Sequence, residues 1–475
     1  MLNPTRVLEK ALYFTTQTLQ KTVPYADNNT FLNGIYAPVT QEVTVFDLQV
    51  EGEIPTVLNG MLTRIGPNPM QVKNPAAYHW FLGDGMVHAV KLQAGRALWY
   101  RNRYIGVDSV QKTLKRPLLA GARHGIYDTV NTNVFGHAGK IYALVEAGAC
   151  PVELDTELNS IKHGLFESPL NQGYTAHPHC DPQTGELHAI CYDALALNVL
   201  RYVVIDPQGQ VRRNLKIPVS GSPMVHDCAI TQSSVIILDL PVGFSVQAAV
   251  KGGALPYCWR PKKTARVGLL PREGQADDIR WFEVDACFSF HIANAFDMDN
   301  GDTIIDLVVH EKMFDRSTNG PEADGSKVTL ERWTLPARGK HVQRKVMSNT
   351  PQEFPRIDER LVGQPHRYVY SISMDSRLDS TTPNLLQRCD MQTGQIESHS
   401  YGHAKMTSEA VFVPKSDTSA EADGWLISYV HDLNGGDSQL VILDSQKLGQ
   451  SPQAVIHLGA HVPMGFHASW IADVV

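Results

Sequence analysis

After residue 40, apolar and polar positions alternate in short runs rich in β-branched and aromatic residues, each cut off by a turn signal. The clearest runs are 140–145, 187–192, 203–205, 235–240, 303–309, 368–372, 426–430 and 440–443. The punctuation between them repeats an Asp followed shortly by Gly, as in Asp181-Pro-Gln-Thr-Gly185, Asp206-Pro-Gln-Gly209, Asp299-Asn-Gly301 and Asp390-Met-Gln-Thr-Gly394. Turns of this kind between β runs are hairpin signals, and their recurrence predicts repeated antiparallel sheets. No helix of convincing length separates the runs, so an all-β fold is expected, a closed β-propeller ahead of a parallel βαβ sheet. The repeats are too degenerate to count blades.

Only the start of the chain breaks the pattern. Pro4 lies near the beginning of a stretch in which Val7, Leu8, Ala11, Leu12 and Leu19 approximate helical spacing, with Tyr13 and Phe14 widening the apolar face. A helix over 1–20 is therefore expected, within an N-terminal arm of 1–25 that packs on the main body or lies on a membrane surface. Length alone suggests about three domains. No stretch is rich enough in Gly, Ser or Pro to divide the chain, so 1–475 is read as one domain.

Composition narrows the function classes. With 43% hydrophobic and 19% charged residues, 36 Gly and 28 Pro, the chain is folded and loop-rich, neither disordered nor fibrous. A formal charge of −7 argues against a polyanion partner and thus against nucleic acid. Cys150, Cys180, Cys191, Cys228, Cys258, Cys287 and Cys389 are scattered singly without a CxxC pair, which fits a reducing cytoplasm better than a disulfide framework or a zinc knuckle. Residues 1–25 lack signal-peptide features, and no run reaches the length of about 18 apolar residues that spans a bilayer. A cytoplasmic protein is expected, with peripheral membrane contact as a further expectation. The apolar, Gly/Pro-broken stretches 241–250 and 252–257, and the mixed apolar and basic stretch 112–125, are the candidates for that contact, with an ordinary packed loop as the alternative.

Of the 19 histidines, four stand out by context. His177 lies in Tyr174-Thr-Ala-His-Pro-His-Cys-Asp-Pro182, His226 in Met224-Val-His-Asp-Cys-Ala-Ile-Thr231, His291 in Phe290-His-Ile-Ala-Asn-Ala-Phe296 and His467 in Pro463-Met-Gly-Phe-His-Ala-Ser-Trp470. Their wide separation rules out two ligands on one helical face, as in HExxH. It suits a propeller, in which each blade aims one residue at the axis. Four imidazoles so placed can hold iron(II) with positions left for oxygen and substrate. Spacing alone leaves buried histidines satisfied by hydrogen bonds as the alternative.

The stretches around these residues resemble the carotenoid cleavage oxygenase family. They are Gly60-Met-Leu-Thr-Arg-Ile-Gly-Pro-Asn68, Phe81-Leu-Gly-Asp-Gly-Met-Val-His88, Asn131-Thr-Asn133, Ala143-Leu-Val-Glu-Ala147, Ala176-His-Pro178, Val225-His-Asp227, Phe290-His-Ile-Ala-Asn294, Glu353-Phe-Pro355, Gly363-Gln-Pro-His-Arg-Tyr368, Glu409-Ala-Val-Phe-Val-Pro414 and His467-Ala-Ser-Trp470. Each is weak alone, but together and in this order they cover almost the whole chain. The resemblance implies a seven-bladed propeller with long loops forming a dome over an axial ferrous ion, Fe(2+). It implies His177, His226, His291 and His467 as metal ligands, with Glu146, Glu353 and Glu409 orienting His226, His291 and His467 in that order and no carboxylate for His177. Thr132 matches a position that shapes one coordination site. Gly83-Asp84-Gly85 has no following GKS/T and reads as a tight turn.

The same resemblance implies the reaction: dioxygen adds across a C=C bond, which breaks into two carbonyl products. An apolar polyene substrate needs a tunnel of aromatic and aliphatic side chains. Phe81, Val145, Phe244, Phe290 and Phe466 are candidates, with Trp259 a further one, though taken alone each reads as core rather than tunnel. The stilbene-cleaving branch carries Lys before the glutamate matching Glu146, and here that residue is Val145, which cannot bond a phenol. Lys140 should face the other side of its strand. Tyr100 and Tyr104 remain candidate phenol partners. No cysteine-containing membrane-attachment motif of the retinoid isomerase branch is found. A carotenoid or apocarotenoid is thus expected as substrate, with a stilbenoid as the alternative and a non-catalytic binding propeller behind both.

Overall fold

The structure, a computed structural model, describes residues 15, 18, 21–125, 128–164, 172–193, 198–245, 247–248, 255–316, 319–321, 327–374 and 384–473. The apolar runs become strands that are buried between neighbouring sheets, as in Leu187–Tyr192, Ser234–Asp239 and Thr303–His310. Seven sheets of four or more strands follow one another in chain order, together with a two-stranded hairpin pairing Val242–Phe244 with Tyr257–Trp259. They form a seven-bladed β-propeller, as expected. Successive strands within a blade pair antiparallel, as in Leu187–Tyr192 against Val199–Ile205 and Thr303–His310 against Val328–Leu335. The ring closes where the last strand, Ala468–Ala472, pairs with Gly60–Pro67, and where Val50–Gly52 pairs with Ala454–His457. Both contacts tie the two ends of the chain together and close the ring of blades.

The predicted runs reappear with small changes in bounds, for example Lys140–Leu144, Ser234–Asp239, Tyr368–Ser373 and Gln439–Asp444. The Asp/Gly turns close as read. Gly185, Gly209, Gly301 and Gly394 all have φ between 71° and 84°, where a Cβ is disfavoured. Asp206 Oδ1 accepts from the Gln208 and Gln210 amides, and Asp390 Oδ1 from Gln392. The outermost strands escape the pattern. Val211–Pro218 and Gln343–Ser348 expose most of their residues to solvent and so lack a strong apolar period.

The N-terminal helix expected over 1–20 lies outside the described residues except for Thr15 and Thr18, and 21–25 run on as a turn and irregular chain. Among the described residues, no helix is long and apolar enough to cross a membrane. All seven cysteines are free. Of the two candidate membrane stretches, the described part of the first is mostly folded inward, with Phe244, Leu255, Pro256 and Tyr257 lining an internal cavity. In the second, Leu118 is exposed, but Arg116 and Arg123 are paired with Glu42 and Asp108.

Candidate metal centre

Each blade begins at the axis with its innermost strand, and the residue at or just before that strand points the chain's chemistry inward. His177 precedes His179–Cys180, His226 precedes Cys228–Ile230, His291 precedes Ile292–Asp297 and His467 precedes Ala468–Ala472. The same position in the other three blades is taken by Thr132 before Asn133–His137, Glu353 within Gln352–Arg356 and Glu409 before Val411–Pro414. Six of these seven are four histidines and two glutamates, while Glu146 follows the second strand of its blade, Lys140–Leu144.

The four imidazoles converge, and all are buried. His177 Nε2 is 3.0 Å from His226 Nε2, which is 3.3 Å from His291 Nε2. One ring nitrogen from each of the four lies within 4.8 Å of those of the others. Three of them turn their other nitrogen to a carboxylate in the pairing read from sequence. Glu146 Oε1 lies 2.9 Å from His226 Nδ1, Glu353 Oε2 2.6 Å from His291 Nδ1 and Glu409 Oε1 3.1 Å from His467 Nδ1. At His291 and His467 the carboxylate accepts, so Nδ1 carries the hydrogen and Nε2 the lone pair. Facing lone pairs at such distances repel unless a cation sits among them, and nearby carboxylates add favourable charge. The donor set therefore fits a metal ion that prefers imidazole.

The electrostatics agree. Burial and the neighbouring imidazoles push His177 well below the ordinary histidine value, which keeps it a neutral donor. Burial opposes ionisation of Glu353, but the charges and hydrogen bonds of His291 and His310 hold it below the usual carboxylate range. Burial likewise opposes ionisation of Glu409, and the Arg356 guanidinium followed by His467 brings it down to about 2.

Sequence reasoning missed several residues that brace this centre. His310 Nε2 is 2.6 Å from Glu353 Oε1. Arg356 Nη1 lies 3.3 Å from Glu409 Oε1, and Glu409 Oε2 also accepts from the Ala468 amide. Asp227, next to His226, accepts from the Ile292 amide and lies 2.8 Å from His179 Nε2, linking three blades beside the ligands. Phe354 stacks on His291 with ring centroids 5.2 Å apart, at a φ of 54° that is uncommon for a bulky residue. The segment carrying His467 is pinned by the buried Arg64, whose Nη1 donates to the Pro463 carbonyl at 3.0 Å. It lies so close to the first blade that a Cβ on Gly66 would come within 2.5 Å of the Gly465 Cα. Glycines at both positions permit that contact, and both fall in the motifs singled out above.

A cavity of about 520 Å³ opens onto His226, His291 and His467. Phe81, Val145, Phe244, Phe290, Phe466 and Thr132 all line it. Phe290 packs on His226 at 5.2 Å, and Phe466 on Trp80 at 4.6 Å. The Thr132 hydroxyl donates to Asn131 Oδ1. Trp259 is not part of the lining and stands opposite Val242 in the hairpin. Tyr100 and Tyr104 are also elsewhere: Tyr100 pairs with His88 and Tyr104 with Asn68. Lys140 lies 3.4 Å from Glu153, away from the cavity. Trp80, Tyr192, Tyr257, Met464, Thr30, Phe31 and Tyr36 are lining residues that sequence reasoning did not assign to the cavity.

The chain matches the family described as retinal pigment epithelial membrane protein over residues 36–472. It is 39% identical to a carotenoid cleavage oxygenase of Mycobacterium tuberculosis, covering 93% of this chain and 97% of that one. Among solved structures, the lignostilbene dioxygenase of Pseudomonas brassicacearum superposes with a TM-score of 0.83 at 26% identity, covering 95% of this chain and 100% of the other. The apocarotenoid oxygenase of Synechocystis does so with 0.82 at 26%, covering 92% and 98%. With a propeller of the same architecture and a four-histidine centre on its axis, the chain belongs to the carotenoid cleavage oxygenase family.

Proposed function

We propose that this protein is an iron(II)-dependent dioxygenase that cleaves one C=C bond of a carotenoid or apocarotenoid into two carbonyl products. The observation that carries the reading is the convergence of four buried imidazoles, three backed by carboxylates, beneath an apolar cavity. His177, His226, His291 and His467 hold the metal through Nε2, while Glu146, Glu353 and Glu409 fix three of the rings and offset its charge. When bound, ferrous iron supplies the activation of dioxygen, both atoms of which end in the products.

The chain's own groups do the rest. Phe81, Phe290 and Phe466 exclude water and hold a conjugated chain against the metal face. Thr132, its hydroxyl committed to Asn131, narrows the space beside the ligands without becoming one. No side chain has to move a proton at the reacting carbons. Val145 supports the polyene reading, since it offers an apolar surface next to Glu146. The likeness to a lignostilbene dioxygenase supports a second reading, stilbenoid cleavage on the same scaffold. The chain acts as one unit over 1–475 in a reducing cytoplasm, which its free thiols support, and meets a bilayer peripherally through exposed Leu118.

The test is anaerobic iron loading, then exposure of apocarotenals and hydroxystilbenes to isotopically labelled dioxygen with products read by mass spectrometry. Paired carbonyl products from the polyenes, each carrying label, are expected. Cleavage of stilbenes alone overturns the substrate assignment, and no cleavage of either overturns the reaction.

A further inference from the structure

The three carboxylates behind the ligand imidazoles are not equivalent. Glu146 meets His226 through Oε1, and its Oε2 is buried without a hydrogen-bond partner. Glu353 accepts through Oε2 from His291 and from the Phe354 amide, and its Oε1 lies against His310. Glu409 alone is tied to a permanent cation. Arg356 Nη1 donates at 3.3 Å to the same Oε1 that faces His467 Nδ1, while Oε2 takes the Ala468 amide at 2.6 Å. Among the described residues, no other Arg or Lys pairs with any of the three. Where Arg356 shares the oxygen, the contact of carboxylate with imidazole is the longest: 3.1 Å at His467, against 2.9 Å at His226 and 2.6 Å at His291.

The strand Gln352–Arg356 thus reaches two ligands, His291 through Glu353 and His467 through Arg356 and Glu409. Arg356 Nη1 also donates to the Ala468 carbonyl at 3.2 Å, and Nη2 to Glu359 Oε1 at 2.9 Å. The side chain of Glu359 is 55% exposed, that of Glu409 only 1%. Water screens the outer pair and not the inner one, so the guanidinium acts mainly on Glu409 and the centre behind it.

A carboxylate that accepts from Nδ1–H makes the imidazole more basic and strengthens its donation to a metal. A guanidinium on the same oxygen withdraws part of that charge, which leaves His467 the weakest donor of the three ligands backed by carboxylates. Its positive charge also opposes the additional charge of a ferric ion. Both effects have the same sign. We propose that Arg356 is a positioning residue for the iron that acts through Glu409 and favours the ferrous over the ferric state, which keeps the ion in the form that takes up dioxygen. Three carboxylates exceed the charge of a ferrous ion by one, and Arg356 cancels that excess. The proposal rests on the functional reading above and deepens it by assigning what sets the oxidation state of the same centre.

The test is an anaerobic titration of the iron-loaded protein with redox mediators, which supply or remove the single electron. Electron paramagnetic resonance reads the ferric population, and mass spectrometry the iron content. Arg356→Gln keeps a donor and removes the charge. At the potential where wild type is half oxidised, its ratio of ferric to ferrous iron is expected to be about tenfold higher, 59 mV for a one-electron couple. Arg356→Lys keeps the charge without the forked geometry and should stay within about twofold of wild type. Glu359→Gln, which removes only the outer carboxylate, should do the same. An unchanged ratio in Arg356→Gln at full iron content, or Arg356→Lys behaving like Arg356→Gln, assigns Arg356 to packing and overturns the proposal. Loss of iron from a folded Arg356→Gln protein does so as well. Arg356→Met is the second charge-free variant, and failure of both to give the β fold by circular dichroism overturns the proposal in favour of a role in folding. A wild type that binds no iron overturns it together with the functional reading.

Discussion

His310 Nε2 and Glu353 Oε1 lie 2.6 Å apart, while the other oxygen of Glu353 lies 2.6 Å from His291 Nδ1. One buried carboxylate thus bridges two imidazoles, and only one of them belongs to the metal centre. His310 fixes the glutamate that fixes the ligand, so its effect reaches the metal through two hydrogen bonds.

Replacing His310 by Phe leaves Glu353 Oε1 buried without its partner. Iron affinity is expected to fall by about 10- to 100-fold, as for other groups that orient metal ligands. His310→Gln, which keeps a donor, should recover part of it. Competitive chelator titration of both variants checks this, and equal affinity in wild type and His310→Phe would remove His310 from the account.

Phe466 meets Trp80 at 4.6 Å and Phe81 at 5.6 Å, and its neighbour His467 is held separately by Glu409. Phe466→Ala is therefore expected to enlarge the cavity and leave the metal in place. Steady-state kinetics should show kcat/KM for a polyene falling roughly tenfold or more, about 1.4 kcal/mol of lost positioning, at unchanged iron content. Loss of iron instead would mean that Phe466 holds the ligand segment.

Asp306 is fully buried and takes both Arg332 Nε at 2.8 Å and Arg332 Nη2 at 2.7 Å, with His366 Nε2 at 3.2 Å. Burial alone would raise this carboxyl, but the hydrogen bonds and charges of Arg332 and His366 hold it below the ordinary range. A carboxylate depressed in the folded state stabilises the fold above its unfolded value, and that contribution disappears as pH falls through the folded one. Thermal melts should lose stability as pH drops below about 4, the ordinary aspartate value. Asp306→Asn should cost about 3 kcal/mol at neutral pH by leaving the Arg332 charge uncompensated, and should flatten the acid slope. An unchanged acid slope would assign acid unfolding to other carboxylates.

What the sequence made legible follows from where each residue sits. Inner and middle strands such as Leu187–Tyr192 are buried throughout, and their apolar runs stand out between Asp/Gly turns. Outer strands such as Gln343–Ser348 face water and leave no pattern. The four histidines and three glutamates could be named because they sit in distinctive stretches at the inner ends of strands. His310 could not, for it ends the uniformly buried strand Thr303–His310 and looks like a core residue. Its place in the same blade as His291 is the signal that a blade-by-blade alignment would have exposed. Tyr192 and Tyr257 are joined only by tertiary packing of a blade end against an inserted hairpin, which no local pattern reports.

The central claim is that the four axial histidines hold one ferrous ion. It is tested most directly by loading the protein with iron(II) anaerobically, removing excess metal and counting bound iron by mass spectrometry. Wild type, His226→Ala and Glu409→Gln are compared, with circular dichroism to verify the β fold. One iron per chain in wild type, none in His226→Ala and weakened retention in Glu409→Gln, all with the propeller intact, is the predicted result. Full iron retention by a folded His226→Ala protein would contradict the account.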